Sequence, residues 1–461
     1  MTTTKTATSQ PTLERRLGPL DAAAIIIANV IGGGILLLPV FIAMNVPDSW
    51  MFLSTWLAGG FLAFCGAMAY AELASLRPRA GGEYVYLRDA YGSLMGFLTG
   101  WTSFVAGFAG AMAFSANLLT VYLNRFVPGA ADATPWLQIP LPYGAITFSN
   151  QTIIAVVALW LFALVHIRGV GPGRFASNAL TILKVVSLLI FIAMGLTMGA
   201  AGTNLQQSAG TVTASGWLSG LIIVMFVYSG WNAAAYMSEE VRDPGRNLPL
   251  ALALGTAAVT IIYLLINVLY LSVIPIGELA TVKGSILDVA ADRLLGARAG
   301  DVMGIVSIIS LAAGINAWTF VGPRVYFAMA RDGVFFPAAA RVHPTYKTPA
   351  LSIVAQAAWA TLLVLTGTLD TLSNYVAFAI TLFAGTAVAA VFVLRWRQPN
   401  APRPFKAVGY PVTPAIFVIV SAIMLVNAIQ REPRTSGLGL LVIAAGIPLY
   451  LWFTSRAKAA R

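Results

Sequence analysis

The chain has 461 residues, of which 58% are hydrophobic and 10% are charged. Soluble globular domains carry about 25% charged residues, so the composition excludes a water-soluble enzyme, a disordered chain and a secreted disulfide scaffold. The single cysteine, Cys65, cannot form an internal disulfide, and two histidines are too few for a histidine-ligated metal site. We therefore expect no metal and no cofactor. The net charge of +11 does not indicate nucleic acid here, because excess Lys and Arg in a membrane chain mark cytoplasmic loops.

Twelve apolar runs follow one another along the chain, separated by charged or Pro/Gly-rich breaks. A membrane-spanning helix needs about 20 mostly apolar residues, and most of these runs meet that length. The predicted spans are 21–44, 51–76, 93–124, 150–167, 176–200, 215–237, 250–275, 302–330, 350–368, 371–394, 412–430 and 437–455. The sequence thus predicts an all-α integral membrane protein with twelve transmembrane helices.

The basic residues are distributed unevenly between the two sets of loops. The termini and the loops after even-numbered spans hold 21 of the 28 Lys and Arg residues, whereas the opposite loops hold six. This bias predicts a multi-pass protein of the cell inner (plasma) membrane with both termini in the cytoplasm. The segment Gly277–Asp301 carries more charge than the other outer loops, and a short amphipathic helix is expected there.

The first predicted span is interrupted by three consecutive glycines, Gly32, Gly33 and Gly34. Each glycine costs a helix roughly 1 kcal/mol relative to alanine, and unwound backbone inside a membrane must line a cavity. The half-helix that begins near Ile35 would offer free N–H groups to a carboxylate, and the half-helix that ends near Val30 would offer carbonyls to an ammonium group. A close-packing glycine patch between helices is the alternative.

The sixth span has a comparable interruption at Tyr228-Ser229-Gly230. Phe226 and Trp231 supply bulk that could close over a ligand, although for Trp231 alone an ordinary aromatic core stripe is the favoured interpretation. Asn232 can donate and accept hydrogen bonds across the unwound segment. Interrupted helices in matching places of two halves are the sequence feature that best indicates a transporter's binding site.

The matching breaks divide the chain into two units of five spans, the second inserted upside down. The predicted division is a cytoplasmic N-terminal tail at 1–20, a first repeat at 21–200, a second, inverted repeat at 201–397, two further helices at 398–455 and a cytoplasmic tail at 456–461.

Lys184 lies about nine residues into the fifth span, which is about 14 Å deep at 1.5 Å per residue. A lysine at that depth costs several kcal/mol unless it is neutral or hydrogen-bonded. We expect its ammonium to replace a bound cation and to contact carbonyls of the first broken helix. Snorkelling of the side chain to the interface is one alternative. A second is that protonation of Lys184 couples transport to a proton.

Several segments resemble the amino acid–polyamine–organocation superfamily, in particular its L-type amino acid transporters and their bacterial relatives. They are NVIGGGILLLP (Asn29–Pro39), AYAELASLRPRAGGEYVYL (Ala69–Leu87), the region around Lys184, FVYSGWNAAAYMSEEVRDPGRNLP (Phe226–Pro249) and Gly322–Pro337. The resemblance implies a twelve-helix bundle with a five-plus-five inverted repeat and alternating access to a site at the midplane.

The resemblance also implies roles for single residues. Gly33 and Gly34 match the break that binds the substrate carboxylate, and carbonyls of Val30, Phe226 and Ser229 match those that hold the amino group. Phe226 also matches an aromatic gate, and Lys184 matches the lysine at the sodium position of sodium-independent members. The remaining residues expected at the gate and pocket are Asn29, Trp231, Asn232, Ala233 and Trp318. Without a cysteine in the outer loop after span 3, no disulfide-linked heavy chain is expected.

The sequence therefore predicts a sodium-independent secondary transporter of neutral L-amino acids, either an exchanger or a proton-coupled symporter. The neutral class is favoured because no acidic residue is expected in the pocket. A cationic amino acid or polyamine carrier of the same fold is the alternative. An enzyme is not expected, since no His, Asp, Glu and Cys cluster is evident; a channel or receptor without turnover remains a further class.

Overall fold

The computed structural model describes residues 13–141, 144–198, 204–296, 298–367 and 369–459. The first half of this region is helical apart from one hairpin. Its α-helices are α1 Pro19–Val30, α2 Gly33–Leu37, α3 Pro39–Asn45, α4 Ser49–Leu76, α5 Glu83–Tyr91, α6 Ser93–Thr102, α7 Phe108–Leu123, α8 Asn150–Ile167 and α9 Val170–Met198. A π-helical turn, Ser103–Gly107, joins α6 to α7. The antiparallel strands β1 Leu137–Leu141 and β2 Gly144–Phe148 form the hairpin between α7 and α8.

The second half is also helical. Its α-helices are α10 Ala214–Val227, α11 Ala233–Tyr236, α12 Pro244–Val273, α13 Ile276–Leu279, α14 Ile286–Leu295, α15 Ala299–Val321, α16 Pro323–Arg331, α17 Ala350–Thr366, α18 Leu369–Arg397, α19 Val412–Arg431, α20 Pro433–Ala444 and α21 Gly446–Ala459. Short 3₁₀ turns lie at Asn204–Gln206, Ser238–Glu240 and Pro337–Ala340. The amphipathic helix expected within Gly277–Asp301 is present as α14.

Ten helical segments of the described chain are long and apolar enough to cross a membrane. Two further apolar helices, α10 and α17, have 14 and 17 residues. At 1.5 Å per residue, α10 is about 21 Å long, short of the roughly 30 Å hydrocarbon core, because its span is broken after Val227. An all-helical membrane fold is therefore confirmed, whereas the count of twelve spans stays a prediction.

The two interrupted spans lie in the interior of the bundle. Helix α1 packs against α9, α12 and α15, and α10 packs against α4. Glycine allows that second contact, since a Cβ on Gly59 would lie 2.4 Å from Cγ1 of Val224. The predicted boundary between the two repeats, at residue 200, and the first twelve residues of the predicted N-terminal tail lie outside the described residues. The inverted relation of the halves stays a prediction.

A buried ion pair ties the segment after the second break to α16. The carboxylate of Glu240 accepts from Nε of Arg324 at 2.7 Å and from its Nη2 at 3.2 Å, and both side chains are at most 1% exposed. The backbone N–H groups of Arg16 and Leu17 donate to the carbonyl of Glu240. The pair therefore lies where the N-terminal segment meets the continuation of the second broken helix.

Replacing Glu240 by glutamine should destabilise the protein strongly. The substitution leaves the Arg324 guanidinium buried without its counter-charge, which costs about 3–5 kcal/mol in comparable sites. We expect a clear drop in the Tm of the purified protein in detergent. The control is Glu278→Gln, because Glu278 pairs with Arg293 on the surface, where ion pairs contribute little. Equal Tm values for the two variants would contradict this account.

Candidate functional site

The first break separates α1 from α2 at the predicted position. Helix α1 ends at Val30, Ile31 and Gly32 are not helical, and α2 begins at Gly33. A Cβ on Gly33 would lie 2.7 Å from Cδ2 of Leu118, and a Cβ on Gly34 would lie 3.2 Å from Cγ1 of Val227. The glycines therefore bring backbone of the first break close to α7 and to the end of α10. The alternative of glycine packing is also partly correct, since these glycines both interrupt the helix and allow neighbouring helices to pack closely.

The second break touches the first. Between α10 and α11 the chain passes through a turn in which Gly230 has φ of 101°, a conformation that L side chains rarely adopt. A Cβ at this position would lie 2.9 Å from Cβ of Asn29, near the end of α1. Both interruptions were predicted from the sequence, and in the structure they are in direct contact.

One tyrosine links the carbonyls at which the two helices end. The hydroxyl of Tyr263, on α12, lies 2.6 Å from the carbonyl oxygen of Val30 and 3.3 Å from that of Val227. Tyr263 is fully buried. The Val30 carbonyl, which we expected to hold a substrate amino group, thus already accepts a hydrogen bond from the protein. This contact was not foreseen, because Tyr263 is 233 residues from Val30 and 36 residues from Val227 in the sequence.

Lys184 contacts the first broken helix. Its Nζ donates to the carbonyl of Ile31 at 2.5 Å and lies 3.3 Å from the carbonyl of Ala28, and the side chain is 0% exposed. Snorkelling to the interface is therefore wrong for this lysine. Its hydrogen-bond acceptors are carbonyl oxygens, the ligand type that hard cations also prefer.

The two breaks line a cavity of about 140 Å³. For comparison, an engineered cavity of about 150 Å³ accepts benzene, so the space suits a small molecule. The predicted site residues that line it are Asn29, Val30, Gly32, Gly33, Gly34, Phe226, Ser229, Asn232 and Trp318. Most of the remaining wall is apolar and aromatic, and the ring of Phe108 lies 5.6 Å from that of Trp318.

Four predicted site residues lie elsewhere. Lys184 is behind the first break, and neither Ile35 nor Ala233 lines the cavity. The ring of Trp231 points away from it and packs edge-on against Tyr70 and Phe417. A smaller space of about 30 Å³ lies there. The aromatic-core interpretation of Trp231 fits this position better than a gate over the main cavity.

The π-helical turn between α6 and α7 also faces the cavity, through residues such as Ser103, Ala106 and Gly107. Such turns occur often at functional sites because they redirect side chains within a helix. Nothing in the apolar pattern of this span distinguishes a π turn from ordinary helix, so it was not predicted.

Glu83 overturns the expectation of a pocket without acid. It lines the cavity, and its Oε1 accepts from the hydroxyl of Tyr70 at 2.6 Å and from Nδ2 of Asn232 at 2.7 Å. Glu83 lies between the predicted spans 51–76 and 93–124, so it was not among the residues expected in the pocket. The pair Gly81-Gly82 before it, both with positive φ, was the available signal of a sharp turn into the bundle.

Within the described residues, no group of three His, Cys, Asp or Glu side chains could hold a metal.

Comparisons with known proteins show the family of this chain. Residues 17–452 match the amino acid permease family. The human large neutral amino acids transporter small subunit 2 is 30% identical over 450 residues, covering 95% of this chain and 80% of that protein. The serine/threonine exchanger SteT of Bacillus subtilis is 28% identical, covering 96% and 98%. The mouse Asc-type amino acid transporter 1 is 27% identical, covering 96% and 82%.

The family and its relatives are transporters, not enzymes, and the apolar helices make this chain a multi-pass membrane protein. The chain therefore belongs to the amino acid permease family of the amino acid–polyamine–organocation superfamily, within its L-type-like group.

Proposed function

We propose that the protein is a sodium-independent secondary transporter of neutral L-amino acids that works by alternating access in the plasma membrane, with both termini in the cytoplasm. The observation that carries this proposal is the meeting of two broken helices at one cavity. Free N–H groups at the start of α2 suit a carboxylate, and carbonyls near the end of α10 suit an ammonium group. A small zwitterion, with a carboxylate for the N–H groups of α2 and an ammonium group for the carbonyls of α10, matches these two helix ends.

Sodium independence rests on Lys184. Its ammonium occupies the place next to the Ala28 and Ile31 carbonyls where a cation would otherwise bind. A positive charge there would stabilise the broken helix without a bound ion. The neutral class is supported by the relatives, two of which carry neutral amino acids in their names.

A cationic amino acid or polyamine carrier is a second candidate, and one observation favours it. Glu83 places a carboxyl group on the cavity wall, where a cationic side chain could pair with it. Competition by lysine, arginine or putrescine against a labelled neutral amino acid separates the two candidates. Strong competition by these cations would favour the second candidate over the neutral class.

Counterflow in proteoliposomes tests the function itself. Vesicles preloaded with unlabelled amino acid should accumulate labelled L-leucine, L-serine or L-alanine faster than empty vesicles, because an exchanger is accelerated by substrate on the far side. The rate should be the same in sodium and in choline buffer. Absence of saturable uptake across a broad amino acid panel would refute the transport proposal, and a strict need for sodium would refute the role of Lys184.

Replacing Lys184 by alanine should reduce turnover far more than it reduces the yield of folded protein. The substitution removes hydrogen bonds from a charged donor, worth about 1.5–3 kcal/mol each, so we expect a loss on the order of tenfold or more in exchange rate. The matched control is Leu183→Ala, since Leu183 is the preceding residue on α9 and is exposed. Exchange at the unmodified rate in Lys184→Ala would contradict this role.

A further inference from the structure

Three acidic side chains of the described chain are buried: Glu72, Glu83 and Glu240. Glu240 pairs with Arg324, and Glu72 pairs with Arg395 and Arg403. Glu83 forms no ion pair with any described lysine or arginine. Because a buried charge must be paired or neutralised, the counter-charge of Glu83 has to come from outside the described protein or from a proton on the carboxyl itself.

The surroundings of Glu83 are polar but neutral. Tyr70 of α4 and Asn232 of the second break donate to Oε1, and the same Asn232 amide donates to the hydroxyl of Tyr236. Burial raises the pKa of Glu83 above its ordinary value, and the hydrogen bonds from Tyr70 and Asn232 oppose that rise. Three tyrosines are the titratable neighbours of Glu83: Tyr70 on α4, Tyr236 on α11 and Tyr86 on α5. None of them is a cation.

Backbone geometry fixes Glu83 against the second break. Gly82 has φ of 49°, and a Cβ there would lie 2.5 Å from the ring of Tyr236. The N–H of Gly81 donates to the Tyr236 carbonyl at 3.1 Å. Since Asn232 immediately precedes α11 and Tyr236 is its last residue, a change in the charge of Glu83 acts directly on the helix that continues the break.

We propose that Glu83 is a proton-binding site linked to substrate occupancy of the cavity. The inference deepens the proposed transport function and rests on it. When substrate fills and closes the cavity, water leaves the wall on which Glu83 lies, and the ionised carboxyl loses its remaining hydration. A proton from solution then adds to a carboxylate oxygen and gives the neutral acid; it returns to solution when the cavity reopens and water re-enters.

A proton fits this site better than the cationic end of a substrate side chain. The cavity has about 140 Å³ in total, and Oε1 already accepts two hydrogen bonds. A proton adds no volume, whereas a long cationic side chain must pass the apolar walls to reach the carboxyl. Relatives named for neutral amino acids also favour a substrate that brings no side-chain charge.

Substrate affinity measured against pH tests this inference. Thermal shifts of the purified protein with L-leucine, L-serine and L-alanine, from pH 5 to 8, give the apparent Kd at each pH. In the wild type Kd should fall as pH falls, by up to about tenfold per pH unit if one proton binds with each substrate. Glu83→Gln, a permanently neutral mimic, should bind with a Kd that does not change with pH and is close to the low-pH wild-type value.

Two further variants sharpen the test. Glu278→Gln makes the same chemical change in an exposed ion pair and should keep the wild-type dependence on pH. Tyr70→Phe removes one donor to the ionised carboxyl, so the pKa of Glu83 should rise and the dependence should extend to higher pH. If Glu83→Gln fails to fold, the Tyr70→Phe shift and proton uptake by the wild type on adding substrate, read with a pH indicator, still decide the matter.

Failure of the inference differs from failure of the proposed function. If amino acids bind and exchange but the wild-type Kd does not depend on pH, or Glu83→Gln keeps that dependence, the proton site is refuted and transport stands. Competition by lysine or putrescine that Glu83→Gln abolishes would likewise refute it in favour of a cationic substrate.

If no amino acid binds, the Tm difference between wild type and Glu83→Gln against pH remains as a substrate-free readout. Because burial raises the pKa of Glu83 in the folded state, the wild type should be relatively most stable below the ordinary carboxyl pKa. It should lose that advantage as pH rises through the folded-state pKa. A Tm difference that does not change with pH would refute proton binding at Glu83.

Discussion

Two helices that stop inside the bundle leave carbonyl and amide groups in a place where no bulk water can satisfy them. The rest of the site follows from how the protein meets this demand. Lys184 reaches the carbonyls of Ala28 and Ile31 from α9, and Tyr263 reaches those of Val30 and Val227 from α12. Polar groups from two unbroken helices thus support the broken ones.

The sequence was most informative where a residue type is rare for its surroundings. Three glycines in a row predicted the first break, and a lysine deep in an apolar run predicted a contact with carbonyls of the first broken helix. Both are confirmed, because few arrangements tolerate such residues inside a membrane. The charge pattern of the loops also fits a membrane protein, although the orientation stays a prediction.

The sequence failed where the chain turns back into the bundle. Glu83 belongs to a charged segment between spans, and loop charge of this kind normally faces water. Its burial depends on two glycines with positive φ and on Tyr236, which is over 150 residues away. Trp231 lies outside the lining of the main cavity for a related reason, since the turn at Gly230 decides on which side of the break its ring lies, and periodicity carries no information about that turn. Neutral substrates were favoured because no acidic residue was expected in the pocket, and the carboxyl of Glu83 removes that reason. The preference for neutral substrates therefore depends on the relatives.

The bridge made by Tyr263 has a consequence for how the two breaks can move. A phenol carries a single hydrogen, so it can satisfy only one of two carbonyls at a time. In this structure the shorter distance, 2.6 Å from the Tyr263 hydroxyl to the Val30 carbonyl oxygen, assigns that hydrogen to Val30. The Val227 carbonyl then accepts no hydrogen bond from this hydroxyl. If the hydrogen passed to Val227, the end of α1 would become the open acceptor in turn. The two half-helices therefore share one donor as alternatives, so that a hydrogen bond to either end leaves the other end without this donor.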